Sequence, residues 1–273
     1  MDPKARNMDI PPSNLTQQAS SAAVAPPQST AVEFADGHWV ANHQHEQAQL
    51  LYAVQGFLVI GTARGRWVLP SNRALWIPPR TEHWTRMVGE VQMRSLYLLQ
   101  RQAPRMPMEC CVVQVSPLLK ELILAAVAIT EAFIPDSRNG RLMRLLLDEL
   151  EPRPLPAMYL PKPHHPGLAG VCAQLIDTPD LELSQCAAEL GVNPKTIRRW
   201  FIDDLGMSFG KWRRQARILC ALEQLAAGKS VLDVALATGY ANHSAFSAMF
   251  KAQLGVSPSE FLAGRHASLG RKA

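Results

Sequence analysis

The chain has 273 residues, 47% of them hydrophobic and 19% charged, with a formal net charge of +5, and that length suits about two domains with packed cores. The basic excess lies mostly in the C-terminal part, where residues 161–273 carry 13 basic and 9 acidic side chains, and it favours an anionic partner. Five cysteines, at 110, 111, 172, 186 and 220, argue against a disulfide framework, and the longest apolar run, Leu118 to Ile129, is too short for a bilayer and contains Lys120 and Glu121.

Residues 1–31, rich in Pro, Ser, Ala and Gln, offer little apolar surface to repay ordering and are expected to be disordered; they also lack the apolar core of a signal peptide. Cysteines in odd number with no such signal fit reduced thiols in a cytoplasmic protein.

From 32 to 115 the sequence changes to short apolar stretches broken by Gly and Pro. LLYAVQGFLVIG, GRWVLPSNRALWIPP and QMRSLYLLQ read as strands of an all-β unit. Within it Gly37, His43, His45, Gln49 and Gly56 follow at set spacings, and Pro78 is followed by His83. This spacing resembles the two motifs of the cupin fold, a small β-barrel whose interior those positions line. The resemblance departs in three places: Gln49 stands where the metal-binding form has Glu, Arg80 where it has Gly, and Met87 where it has Asn.

Because alternate strand residues share a face, His43 and His45 point the same way and His83 can converge on them from a neighbouring strand. Three imidazoles and an amide oxygen can hold Zn²⁺ or Fe²⁺. They can equally line an effector pocket and hydrogen-bond a small molecule, and the loss of the carboxylate favours that reading. Trp39, Trp67, Trp76 and Trp84 all fall in this segment, as pocket walls or as core.

Residues 116–150 form a helical joint. Ser116 and Pro117 start a helix through LLKELILAAVAITEAF, and RLMRLLLDEL forms a second after an expected break at Asn139-Gly140. Leu142, Leu145, Leu146 and Leu150 make an apolar stripe, so the two helices are expected to pack together and to serve dimerisation. The Pro-rich stretch 151–165 reads as a linker, with His164 and His165 simply exposed.

The last part states one theme twice. Ala187 and Gly191 recur 48 residues later as Ala235 and Gly239, and Asn193 and Phe201 recur 49 residues later as Asn242 and Phe250. In each copy the glycine can end a helix at positive φ and the asparagine can cap the next one. After Asn193, Pro194 suits the first helical position, and Ile197, Trp200 and Phe201 share one face while Lys195, Arg198 and Arg199 share another. Such a helix suits the DNA major groove, where Arg pairs with guanine O6 and N7.

At these residues the chain resembles the AraC/XylS family of transcription regulators. DVALATGYANHSAFSAMFKAQLGVSPSEF looks like that family's second helix-turn-helix and closing aromatic, and SFGKWRRQARILCALEQLAAG like its connecting helix. The resemblance implies an α+β two-domain protein: a cupin-like β-barrel sensor, a helical dimerisation joint, a double helix-turn-helix over 166–265 and a tail over 266–273. It implies no catalysis; the rival is a metal-dependent cupin dioxygenase or isomerase with a DNA-binding tail. The implied partners are a double-stranded DNA operator, a small-molecule effector, a second copy of the chain and RNA polymerase. The implied DNA-binding residues are Asn193, Lys195, Thr196, Arg198 and Arg199 in the first unit, and Asn242, His243, Ser244, Ser247 and Lys251 in the second. Arg198 and its neighbours are expected to set base preference, whereas the second helix, with short hydroxyls there, mainly anchors.

Overall fold

The computed structural model describes residues 27–152 and 158–262. The expected disordered start up to residue 26, linker residues 153–157 and the tail lie outside the described residues.

The N-terminal domain is an antiparallel sheet built of β1 (Gln28–Phe34), β2 (Trp39–His43), β3 (Ala48–Thr62), β4 (Gly65–Leu69), β5 (Arg73–Ile77), β6 (His83–Leu98), β7 (Cys111–Gln114) and β8 (Met158–Pro161). β3 and β6, 15 and 16 residues long, pair along nearly their whole length and form its spine. Their register slips around Gln55, and there Gly56 and Gly89 take φ of +79° and +78°. A Cβ on Gly56 would stand 2.5 Å from the Glu90 carbonyl oxygen, so the close passage of the two backbones at this bulge needs glycine. One half of the spine carries β1 and β5, with β7 beyond β5; the other carries β2 and β4, with β8 beyond β4.

Two boundaries differ from expectation. β1 begins at Gln28, inside the stretch expected to be disordered, because its register on β6 continues from Phe34 back to Gln28 opposite Tyr97. The expected linker contributes β8, an edge strand whose Pro161 sits at its last position, where a missing N–H costs little.

The joint consists of α1 (Pro117–Val127) and α2 (Arg138–Glu149). Ser116 caps α1, its hydroxyl accepting from the Leu119 N–H at 3.0 Å. α1 stops short of the expected Phe133: the Ile129 N–H bonds back to Ala126 in a tight turn and Ile129 is buried. α2 starts earlier than expected, since Ser137 accepts from the Gly140 N–H at 3.2 Å and so places Asn139-Gly140 inside the first turn. Leu119, Leu122 and Ile123 of α1 share one core with Met143, Leu146 and Leu150, and with Trp76 and Leu96 of the sheet. Leu145 of the expected stripe faces outward instead.

The C-terminal domain is helical: α3 (Pro166–Asp177), α4 (Leu183–Glu189), α5 (Pro194–Leu205), α6 (Phe209–Ala226), α7 (Val231–Ala237) and α8 (His243–Leu254). The 18-residue α6, about 27 Å long at 1.5 Å per residue, is the expected connector. Its Trp212, Ile218 and Leu222 are buried with Phe201 of α5 and with Phe246 and Phe250 of α8, in a core that also includes Phe57, Val59 and Val88 of the sheet. The Trp212 indole N–H donates to the Pro161 carbonyl at 3.3 Å, and Arg86 of β6 pairs with Glu223 of α6 at 2.9 Å. Beyond α8, Ser257 and Glu260 cap one another reciprocally, and Phe261 packs edge-on against Phe57 with ring centroids 5.1 Å apart.

Gly140 gives a test of the joint. A Cβ there would lie 2.1 Å from the Pro135 carbonyl oxygen. Alanine favours a helix by about 1 kcal/mol over glycine, but a clash with fixed backbone typically costs about 1–3 kcal/mol. Gly140→Ala is therefore expected to lower the urea midpoint of unfolding; an unchanged or raised midpoint would show that the α2 start yields freely.

Candidate functional sites: two capped helices and a histidine-lined cavity

Both helix-turn-helix turns have the expected local chemistry. Gly191 and Gly239 sit at φ of +63° and +77°. The Asn193 side-chain oxygen accepts from the Lys195 N–H at 2.9 Å and starts α5; that of Asn242 accepts from the Ala245 N–H at 2.8 Å and starts α8. Ile197 and Phe201 anchor α5, and Phe246 and Phe250 anchor α8, all fully buried. This leaves Lys195, Arg198 and Arg199 exposed on α5, with Thr196 half-buried. On α8 it leaves His243, Ser244 and Lys251 exposed, with Ser247 half-buried and its hydroxyl 3.5 Å from His243 Nδ1. The two helices thus present unlike faces, one cationic and one of short polar side chains.

Two histidines expected to be merely exposed hold the first unit in place. The backbone N–H groups of His164 and His165 donate to Asp204 Oδ2 at 2.8 and 3.0 Å. Together with the His164 ring, and led by the His165 N–H, they hold the Asp204 carboxyl below the usual carboxylate range. His165 Nδ1 accepts from the Leu168 N–H at 3.3 Å, capping α3, and its ring lies against Trp200 with centroids 4.1 Å apart. Asp204 carried no sequence signal, since its partners lie about 40 residues upstream.

A cavity of about 170 Å³ opens in the sheet among β1, β2, β3 and β6. Val32, Phe34, Val40, Leu51 and Met93 give it apolar walls, and Thr30, His43, Gln49, His83, Thr85 and Tyr97 bring polar groups. His43 lies opposite His83 in the β2–β6 register, with ring centroids 4.3 Å apart; His45, just past the end of β2, stands 5.2 Å from His83. The expected convergence is therefore present, reached across a register shift in β2 rather than along one regular strand.

The hydrogen bonds fix how these rings are used. Nδ1 of His43 and of His83 lies 2.8 Å from a backbone carbonyl, Ala41 and Thr81 respectively, and Nδ1 of His45 bonds the Gln47 carbonyl. Carbonyls only accept, so each Nδ1 carries the proton and each Nε2 of a neutral ring is an acceptor. Gln49 is buried and bonds His45 Nε2 at 3.2 Å, the Ser95 hydroxyl at 2.9 Å and the Tyr97 hydroxyl at 3.3 Å. With the amide turned so that its NH₂ faces His45, and its oxygen faces the two hydroxyls, all three contacts are satisfied without a charge on the ring.

The fourth member of the set, Gln49, is a neutral amide whose polar atoms are already engaged by His45, Ser95 and Tyr97, a weaker metal ligand than a carboxylate. Arg80, where the cupin motif has Gly, sits at φ +58°, the left-handed region that favours glycine, and is held by Glu46 at 2.8 Å. Met87 is fully buried in the sheet core. Of the tryptophans, Trp76 is core, while Trp39, half exposed, lines the cavity and stacks on Trp84 at 4.4 Å.

Residues 29–151 match the AraC-like ligand binding domain, and residues 186–264 match a helix-turn-helix domain. Over 224 residues the chain is 31% identical to the HTH-type transcriptional regulator NimR of Escherichia coli (strain K12), covering 81% of each protein. The chain belongs to the AraC family of transcription regulators. In AraC-family terms, the sheet is the ligand-binding domain and the double helix-turn-helix the DNA-binding domain. The chain is also 32% identical over 136 residues to the HTH-type transcriptional regulator RipA of Corynebacterium glutamicum, spanning 49% of this chain and 39% of that protein. ToxT from Vibrio cholerae overlaps 88% of this chain and 98% of its own at 10% identity and a TM-score of 0.36, a likeness too loose to bear on the site.

Burial, with smaller contributions from His43 and His45, lowers His83 to about 4. An unfolded histidine titrates near 6.5, so between about pH 6.5 and 4 the unfolded chain binds the proton that the folded chain refuses. Stability from this site is whole above pH 6.5 and falls as pH drops toward 4, by up to about 3 kcal/mol. Wild type should lose urea resistance through that window and His83→Gln should lose less; equal loss in both would place the acid sensitivity elsewhere.

Proposed function

We propose that this regulator reads its operator with α5 and α8, and that a small molecule bound in the sheet cavity controls how the pair is presented to DNA. The observation that supports DNA reading is the pair of asparagine-capped helices whose buried faces are apolar and whose exposed faces carry Lys195, Arg198 and Arg199 on one and His243, Ser244 and Lys251 on the other. Thr196, Ser247 and the capped helix starts add phosphate contacts.

The effector reading rests on the cavity's unfilled polar capacity. The His43 and His83 rings, both on its wall, offer Nε2 as acceptors. A dry cavity of about 150 Å³ takes one benzene, so the fitting effector is a compact, ring-sized molecule carrying hydrogen-bond donors. Catalysis has no part in this reading, and neither does a metal. No described helix is long and apolar enough to cross a membrane, and the reading places the protein in the cytoplasm with its DNA.

A homodimer completes the proposal. Leu118, Ile134 and Leu145 of the joint are 48%, 54% and 43% exposed, and these apolar side chains support a second copy. RNA polymerase is the further partner that the family suggests. With the full-length chain, Leu118→Asp combined with Leu145→Asp should shift the sedimentation of a wild-type dimer to monomer; a doubly substituted chain that stays dimeric removes α1 and α2 from the interface.

DNA reading is tested by selection from random duplexes. Arg or Lys bidentate to guanine discriminates by about 1–3 kcal/mol, whereas short hydroxyls serve several bases. Arg198→Ala should relax base preference in one segment of each selected site, and Ser247→Ala should leave preference nearly unchanged. Strongest preference mapping to the groove beneath α8 instead would reverse the assignment.

A further inference from the structure

α6 passes between the two helix-turn-helix units, and Arg217, in its middle, is bonded to both. Its Nε–H donates to the Pro179 carbonyl at 2.8 Å, in the turn leading into α4. Its guanidinium carbon lies 5.7 Å from the ring centre of Tyr240, in the turn leading into α8. Gly239 makes room for this: a Cβ there would stand 2.7 Å from Arg217 Nη2 and 3.3 Å from Asp180 Cβ, so the turns of the two units meet at one guanidinium.

Tyr240 in turn packs on Phe246, with ring centroids 5.7 Å apart, and Phe246 is the buried residue nearest the α8 cap. The Arg217 position is thereby passed to the start of α8. Arg213, one turn earlier, reaches the Leu181 carbonyl at 3.5 Å, Glu182 at 3.6 Å and the face of Phe209, contacts that stay within the first unit and α6 itself.

We propose that Arg217 is a positioning residue for DNA reading, holding α4–α5 and α7–α8 at a fixed separation and so fixing the number of base pairs between the segments they read. The inference rests on the reading that both recognition helices enter the groove. A planar guanidinium, always charged and with its donors in a rigid fork, can bond a carbonyl and lie on a ring together; an ammonium on a flexible stem holds one geometry poorly. One added base pair moves a segment by about 3.4 Å along the duplex and turns it by about 34°, a mismatch that a rigid pair of readers cannot absorb.

The experiment uses the full-length chain and a duplex selected by wild type from a random library, then the same duplex with one base pair added or removed between its two specified segments. Wild type should lose about tenfold or more in affinity on either change, as for a mismatch inside a site. Arg217→Met should bind the parent duplex more weakly but lose most of that spacing penalty, with base preference inside each segment unchanged, and Arg217→Lys should fall between. A merely destabilised protein would bind all three duplexes more weakly in proportion, and an Arg217→Met spacing penalty equal to wild type overturns the proposal. Should Arg217→Met fail to fold, Tyr240→Leu leaves the Pro179 bond in place and removes the ring; a full spacing penalty there overturns it too. A wild-type selection yielding a single specified segment would overturn the two-reader reading beneath it, a result distinct from two segments with unchanged spacing.

Discussion

One strand with two occupied faces constrains this protein. Along β6, side chains alternate: His83 and Thr85 face the cavity, while Trp84 lines the cleft against α3 and α6, and Arg86 pairs with Glu223 of α6. The period of a strand is two, so a slip of one residue would exchange the faces and put histidines against the DNA-binding domain. Register is held by the 16-residue length of β6, its pairing with β3 along nearly all of it, and the bulge at Gly56 and Gly89. Cavity wall and domain contact therefore lie on one strand, and a ligand that displaced β6 would displace both. How far it shifts DNA binding is set by its difference in affinity for the two arrangements, not by how tightly it binds one of them.

What could be read from sequence follows how local the deciding chemistry is. The two helix-turn-helix units were legible because a cap, a positive-φ glycine and a buried phenylalanine all act within about ten residues. The cavity was legible in kind: His43, His45, Gln49 and His83 do converge. The use of their nitrogens was not, because the backbone carbonyls that fix each tautomer leave no mark in side-chain spacing. β8 was illegible for a different reason, since a four-residue, Pro-ended edge strand is indistinguishable in composition from the linker around it. Asp204 was missed because its carboxylate is used by a segment 40 residues away. The α2 start was misplaced because glycine usually breaks a helix, and here it serves a close approach to Pro135 instead.

The neutral amide in the cavity has its own logic. Position 49 is buried, and an ionised carboxylate there would need a cation or several donors to repay its lost hydration. Ser95, Tyr97 and His45 supply a neutral amide with a partner for each of its polar ends, so the network closes without any ion. A closed neutral network leaves the Nε2 atoms of His43 and His83 as the cavity's unused acceptors.

The repeat in the DNA-binding domain is unequal by one residue, and the structure shows where that residue goes. Between glycine and cap the first unit has only Val192, whereas the second has Tyr240 and Ala241. The caps differ accordingly: Asn193, at φ −74°, accepts from the N–H two residues on, and Asn242, at φ −160°, from the N–H three residues on. The longer turn lets a tyrosine ring lie between Arg217 and Phe246 while α8 still begins on a proper cap. The departure from exact repetition thus falls in the turn that carries the second unit's contact with Arg217 of the connecting helix.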